Sequence, residues 1–220
     1  MCGQEWDTRV PHHEYWGKKM ELSAVQILSI LIALFAIIDP FGAIPIFLAL
    51  TKDAQESQKH KIAGRSCIFA FLILVIFTFA GRYILDFFGI SVTAFQVGGG
   101  VIIFMAGLPM LFAYPLGMKS KEAEVVESAE RGDVSLVPLA VPMLAGPGAI
   151  TTVLVLADQH KFLISKLTIL GSAFLVLAIT FFLFWQAERL FRLIGQTGLN
   201  LLTRIMGLIL IVLAVQYILS

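Results

Sequence analysis

Two stretches of the sequence, DPFGAIP at residues 39–45 and AGPGAIT at residues 145–151, share a Gly-Ala-Ile triplet with a proline just before it. The triplets begin at Gly42 and Gly148, and each lies in the middle of a long apolar segment. Proline removes a backbone donor and strains the preceding turn, while glycine loosens the backbone. Because unpaired backbone groups are costly in lipid, a break in mid-membrane must be buried in protein or face a polar cavity. Two such breaks at matching places indicate the binding site of a transporter.

The composition is that of a membrane protein. The chain has 220 residues, of which 58% are hydrophobic and 14% are charged, whereas soluble domains have about 25% charged residues. A formal net charge of +1 argues against a nucleic-acid partner. The two cysteines and four histidines show no metal-ligand spacing. We therefore expect the lipid bilayer as the environment, and neither a metal, a cofactor nor catalytic residues.

Six apolar segments are long enough to cross the bilayer as helices, for which about 20 residues are needed. They cover residues 22–50, 66–85, 95–112, 136–157, 162–185 and 199–219. The first and fourth contain the Gly/Pro breaks. The predicted fold is therefore an all-α membrane protein with six transmembrane helices.

Further glycines repeat at nearly the same offset as Gly42 and Gly148, which lie 106 residues apart. Gly89 and Gly195 are also 106 apart, and Gly99 and Gly207 are 108 apart. A constant offset predicts an internal duplication, and three spans in each half would invert the second copy across the membrane. The predicted organisation is a disordered tail or misassigned start at 1–19, a first three-helix repeat at 20–115, a charged cytoplasmic loop at 116–135 and a second repeat at 136–220.

Lys and Arg are more frequent in the connections after the first, third and fifth spans than on the opposite side. By the positive-inside rule, this bias predicts that both termini lie outside. The expected location is a membrane that bounds the cytoplasm, which the chain crosses several times.

Asp39 is an acidic residue well inside an apolar run. An aspartate at the centre of a span costs roughly 2.5–3.5 kcal/mol to insert, so it requires a partner or a cavity. Pro40 disfavours helical geometry at Asp39, which would then cap a second half-helix beginning near Pro45. Asp39 either caps backbone donors only, or contacts the substrate or a proton directly.

The predicted substrate site combines both breaks, with unwound backbone around the glycines and the positive ends of two half-helices near Ala43–Pro45 and Ala149–Thr151. Its residues are Asp39, Pro40, Gly42, Ala43, Pro45, Gly146, Pro147, Gly148, Thr151 and Thr152. The threonine hydroxyls either donate to the ligand or bond back to their own helix.

Gln96 and Arg204 are supporting polar positions in the third and sixth spans. Arg204 either reaches to the membrane surface or pairs with Asp39. The glycines at 98–100 favour close helix packing rather than substrate contact.

The stretches at 39–47, 137–151 and 203–207 resemble the MarC family of bacterial and archaeal inner-membrane proteins, and the likeness extends from about residue 21 to the end. This resemblance implies six spans and transport of small neutral amino acids such as glycine and alanine, driven by an ion gradient, with H⁺ or Na⁺ as the coupling ion. The family has Asn or Asp at the position of Asp39, which argues against a universal proton carrier there.

The sequence therefore predicts a secondary transporter in which one half rocks against the other, and a homo-oligomer is compatible with it. One alternative is an exporter of small hydrophobic metabolites or drugs, which should have a wide apolar cavity. A second alternative is an intramembrane enzyme, but a carboxylate protease needs a second buried acid, and Asp86 and Asp158 lie at span ends.

Overall fold

The regular elements are all α-helices in the part of the chain that the computed structural model describes, residues 23–52, 54–112, 144–160 and 162–219. The helices are α1 (Ala24–Ile38), α2 (Pro40–Leu50), α3 (Glu56–Phe87), α4 (Val92–Phe112), α5 (Pro147–Gln159), α6 (Leu163–Trp185) and α7 (Ala187–Leu219).

Within the described ranges, five segments are long and apolar enough to cross a membrane: α1 with α2 as one segment of 27 residues, and α3, α4, α6 and α7. They coincide with five of the six predicted spans. The predicted fourth span, 136–157, is described only from residue 144, and its helical part belongs to α5. The predicted tail at 1–19 and charged loop at 116–135 lie outside the described residues.

Two helices extend beyond the apolar runs that predicted them. Helix α3 begins at Glu56, ten residues before the predicted span, because its first turns are polar and Gln55 and Gln58 form a capping box at its start. Helix α7 begins at Ala187 and is interrupted by Gly195, which has non-helical angles (φ 69°, ψ 174°) and separates residues 187–194 from 196–219. The hydrophobic pattern thus locates the spans but not the ends of the helices.

The bundle is built on two long pairings of helices, α4 with α7 and α3 with α6. Helix α5 packs against α3 and α4, and α2 packs against α6 and α7. Glycines permit the close approach of α4 to α7, since a Cβ on Gly100 would lie 3.0 Å from the Ala214 carbonyl oxygen, and one on Gly107 would lie 3.0 Å from that of Gly207. This packing brings residues of α1, α2 and α5 into one core.

Candidate functional site

Asp39 separates α1 from α2 and caps both. Its backbone is left-handed (φ 45°, ψ 66°), its N–H donates to the carbonyl of Phe35 at the end of α1, and its Oδ1 accepts the N–H of Gly42 at 3.2 Å. A left-handed residue is a common helix C-cap, and a carboxylate is a favoured N-cap. The break in the first span is therefore a single residue, and the polar groups that it frees are partly satisfied by its own side chain.

Gly42 leaves room for this cap. A Cβ on Gly42 would overlap the Asp39 carboxylate, with Cγ only 2.8 Å away. An N-cap residue usually has extended angles, whereas the left-handed angles of Asp39 place its carboxylate against the Cα of Gly42. Glycine is thus required by the cap and not by unwinding, because Gly42 is itself helical.

The prolines of this region leave two carbonyls without their helical donors. Proline has no N–H, so the carbonyls of Ala36 and Phe41 cannot accept the usual bond from positions 40 and 45. The prediction that the second half-helix begins near Pro45 is wrong: Pro40 occupies the first turn of α2, and Pro45 lies inside it. The positive end of α2 accordingly lies at Pro40 rather than at Ala43–Pro45.

The start of α5 resembles the start of α2, but its N-cap residue is a glycine, which has no side chain to cap the helix. Gly146 is the N-cap with extended angles (φ −66°, ψ 171°), Pro147 is the first helical residue, and no side chain at Gly146 bonds to the first turn. The first intrahelical bond runs from the N–H of Ile150 to the carbonyl of Gly146 at 3.0 Å. The N–H groups of Gly148 and Ala149 therefore have no acceptor within the helix. We call residues 39–42 the capped start and residues 146–149 the uncapped start.

Residues at or next to the two starts belong to one large buried cluster, which contains Ala43, Ala145 and Ala149. At the uncapped start, a Cβ on Gly148 would lie 3.0 Å from Cγ1 of Ile103 and 3.3 Å from Cγ2 of Ile37. Since Ile37 is two residues before Asp39, the end of α1 lies against the beginning of α5. Gly148 is helical, like Gly42, so the prediction of unwound backbone holds for Gly146 and is wrong for the other two glycines.

A polar cluster continues from the uncapped start toward the end of α7. The hydroxyls of Thr151 and Thr152 donate to the carbonyls of Pro147 (2.8 Å) and Gly148 (2.9 Å). Gln96 of α4 donates from Nε2 to the carbonyl of Tyr217 at 3.2 Å, and the Tyr217 side chain shares a hydrogen bond with that of Thr152. The threonines thus bond back to their own helix, which was one of the two predicted alternatives.

The glycines and the arginine predicted near the site differ in their outcomes. Gly99 packs against the Thr151 side chain and Gly100 against α7, so their predicted packing role is confirmed. At Gly98, an added Cβ would have no described residue within 4 Å, so close packing is not found there. Arg204 lies on an exposed face of α7, while the carboxylate of Asp39 is turned onto its own helix.

Two cavities in the described part of the protein lie at the ends of the bundle, away from the two helix starts. The first, of about 400 Å³, is lined by Phe47, Lys59, Phe184 and Glu188 among others. The second, of about 220 Å³, is lined by residues that include Arg82. No residue of the two helix starts lines either cavity.

The sequence as a whole matches one family. Residues 24–220 match the MarC family of integral membrane proteins. The chain belongs to the MarC family. It is therefore a multi-pass integral membrane protein, and similar MarC-family proteins occur in bacteria and archaea.

Three relatives illustrate how completely the chain is covered. A UPF0056 membrane protein of Aquifex aeolicus is 34% identical over 90% of this chain and 93% of its own. A UPF0056 membrane protein of Methanocaldococcus jannaschii is 36% identical, and the match covers 86% of this chain and 91% of the relative. The UPF0056 membrane protein YvbG of Bacillus subtilis is also 36% identical, with 86% and 90% covered. No solved structure matches the chain.

Sequence reasoning missed Tyr217 and two ion pairs of this MarC-family protein. The sequence does contain a signal for Tyr217, because this residue brings a polar hydroxyl group into an apolar span. The pairs Lys59–Glu188 and Arg82–Asp158 join positions far apart in the sequence, so only the fold brings them together.

Proposed function

We propose that this protein is a secondary transporter of small neutral amino acids of the glycine and alanine class, coupled to an ion gradient. The observation that carries the proposal is the pair of helix starts, of which one is capped by a carboxylate and the other has a glycine N-cap without a side chain. Interrupted helices that meet in the membrane offer both backbone donors and carbonyls to a substrate.

The uncapped start is suited to the substrate carboxylate. The N–H groups of Gly148 and Ala149 and the positive end of the α5 dipole favour an anion at this place. At the capped start, the Asp39 carboxylate already takes the corresponding position. We therefore assign the carboxylate of the substrate to α5 alone, rather than to both helix starts.

The capped start is suited to the substrate ammonium. Only Oδ1 of Asp39 accepts the N–H of Gly42, which leaves Oδ2 able to accept a further donor. The carbonyls of Ala36 and Phe41, which lack helical donors because of Pro40 and Pro45, add acceptors on either side. An ammonium group is a donor without acceptors, so this set of oxygens complements it.

The size of the substrate follows from the residues around the two starts. Gly42, Ala43, Ala145, Gly146 and Ala149 have little or no side chain with which to form a shaped pocket, which suits a substrate with a small side chain. A hydrophobic exporter would need a wide apolar cavity, whereas both cavities in the described ranges have charged residues in their walls.

The inverted repeat and alternating access belong to the same proposal. The described glycines with positive φ are Gly89 (67°) and Gly195 (69°), which are separated by the same 106 residues as Gly42 and Gly148. The contact of α2 with α7 also has a counterpart in that of α5 with α4. These correspondences support six spans in two inverted halves, 20–115 and 136–220, with both termini outside.

Counterflow in proteoliposomes tests the proposal. Purified protein is reconstituted with unlabelled alanine inside, and uptake of labelled glycine, alanine, leucine and lysine is followed. We expect rapid exchange of glycine and alanine and little of the other two, with Gly171→Leu as a control because no described residue lies within 4 Å of a Cβ there. Absence of amino-acid counterflow, combined with exchange of an apolar amphiphile, would favour the exporter.

A further inference from the structure

Two ion pairs connect α3 to helices of the second half of the chain. Nζ of Lys59, near the beginning of α3, pairs with Oε1 of Glu188 at the beginning of α7. Nη1 of Arg82, near the end of α3, lies 2.7 Å from Oδ1 of Asp158 near the end of α5. Lys59 and Arg82 are about 35 Å apart along the helix axis at 1.5 Å per residue, which is close to the thickness of the hydrocarbon core, about 30 Å. One pair therefore lies at each face of the membrane.

Each cation of these pairs also has a carboxylate partner on its own helix. Lys59 lies 3.5 Å from Oε1 of Glu56, and Arg82 lies 3.1 Å from Oδ1 of Asp86. The partners on α3 move with the cation, whereas Glu188 and Asp158 belong to the other half. The charge of each cation can therefore remain paired when the contact between the halves is broken.

Each interhelical pair stands beside one of the two cavities. Lys59 and Glu188 line the first cavity, whose floor includes Phe47 and Phe184, stacked with ring centroids 4.5 Å apart. Arg82 and Asp158 line the second, on the side where Gly81 fits closely against Leu154. Neither cavity is lined by a residue of the helix starts, and each pair lines the cavity at its own face.

We propose that Lys59–Glu188 and Arg82–Asp158 are the two gates of the transport path and that they open alternately. This inference rests on the proposed function. If the halves rock as rigid bodies, separation at one face brings them together at the other, so only one pair breaks at a time. Both pairs are formed in the present conformation, which in this proposal is the intermediate between the two open states.

The four carboxylates supply a test with matched controls. Glu188→Gln and Asp158→Asn each remove a partner from the other half, while Glu56→Gln and Asp86→Asn each remove a partner on α3. Two reporters, Leu48→Cys in the first cavity and Phe77→Cys in the second, are placed separately in a protein whose Cys2 and Cys67 are changed to Ser. The protein is held in lipid nanodiscs, where a charged maleimide reaches both faces.

Glu188→Gln should raise the labelling rate of Leu48→Cys and lower that of Phe77→Cys, each by about two- to fivefold, the range by which exposed ion pairs shift an equilibrium. Asp158→Asn should do the reverse. The two control substitutions remove the carboxylate that keeps the cation paired in the open state. Glu56→Gln should therefore not raise the labelling rate of Leu48→Cys, and Asp86→Asn should not raise that of Phe77→Cys. Restoring the pair in reverse, as Lys59→Glu with Glu188→Lys, should return both rates toward the parent and shows that the chain is folded.

A rise at the near reporter without a fall at the far one would show that the pairs only hold helix ends locally, and the gate proposal would be wrong. Equal effects of Glu188→Gln and Glu56→Gln would also overturn it. Labelling requires no substrate, so the two proposals can fail separately. A reciprocal labelling pattern in a protein that exchanges no amino acid would support the gate proposal and contradict the proposed substrate. Amino-acid exchange without the reciprocal pattern would support the proposed substrate and contradict the gate proposal.

Discussion

The capped start of α2 and the uncapped start of α5 are built from the same elements, yet they offer opposite chemistry. Both have proline as the first helical residue and glycine in the first turn. Asp39 brings a carboxylate to the first, while Gly146 brings nothing to the second. The comparison teaches that one side chain can give two similar helix starts opposite electrostatic character, since the first carries a carboxylate and the second leaves the backbone N–H groups of its first turn without an acceptor in the helix.

The largest effect is expected at the uncapped start. Gly148→Leu places a branched side chain where even a Cβ would lie 3.0 Å from Ile103 and 3.3 Å from Ile37, and overpacking of this kind costs roughly 1–3 kcal/mol. We expect at least a tenfold loss of counterflow with the protein still inserted in the membrane. Gly171→Leu is the matched control, and normal counterflow by well-expressed Gly148→Leu would show that this contact is dispensable.

An effect of intermediate size is expected at the capped start. Gly42→Ala forces the Asp39 carboxylate from its cap, and loss of a cap costs about 0.5–2 kcal/mol. Asp39→Gly removes the clashing group and suits a left-handed backbone. The loss of unfolding free energy in the double variant should therefore be about 1 kcal/mol smaller than the sum of the losses in the two single variants, as measured by thermal unfolding in detergent. Gly42→Leu should lose transport as Gly148→Leu does.

Additive losses in this cycle would mean that Gly42 does not serve the cap. The same cycle at the uncapped start, with Gly148→Ala in place of Gly42→Ala and the same Asp39→Gly, is the control. The Asp39 carboxylate bonds to the first turn of α2 and not to that of α5, so the losses in the control cycle should add.

The smallest effect is expected for Asp39→Asn. Asparagine can cap, coordinate through its carbonyl and adopt left-handed angles, but it cannot titrate. We expect both exchange and gradient-driven accumulation to persist within about threefold, while Asp39→Ala loses the cap and with it about 0.5–2 kcal/mol of stability. Exchange without accumulation in the same Asp39→Asn vesicles would assign proton coupling to Asp39 and contradict this prediction.

Five of the six predicted spans are confirmed within the described residues, because long apolar runs have few alternatives in a bilayer. Proline and glycine act on the backbone locally, so the sequence also predicted non-helical backbone at Asp39 and Gly146. The same prediction was wrong for Gly42 and Gly148, which are helical. The rule for a residue before proline favours extended angles, but Asp39 is left-handed because it also ends α1, where its N–H bonds to Phe35.

The difference between the two starts could not be read from the motifs alone. A carboxylate three residues before Gly42 suggested a cap, but the overlap that makes glycine necessary appears only with the geometry. The ion pairs of Lys59 and Arg82 could not be predicted from the sequence for another reason, since their partners lie 129 and 76 residues further along the chain. Contacts of this kind depend on how the helices pack.

The central claim is that the uncapped start holds the substrate carboxylate, and it is tested most directly by a thermodynamic cycle between Gly146 and the substrate. Gly146→Ser supplies a hydroxyl that can cap Gly148 and Ala149, and Gly146→Ala is the control without an acceptor. Binding of alanine and of alanine amide, which lacks the carboxylate, is measured by calorimetry on the purified protein.

We predict that Gly146→Ser weakens alanine binding by about tenfold relative to Gly146→Ala, as expected for a hydrogen bond to a charged group. The two variants should bind alanine amide equally, because the lost interaction is the one that the amide already lacks. Equal weakening of alanine and alanine amide by Gly146→Ser would show that the carboxylate binds elsewhere and would contradict the account.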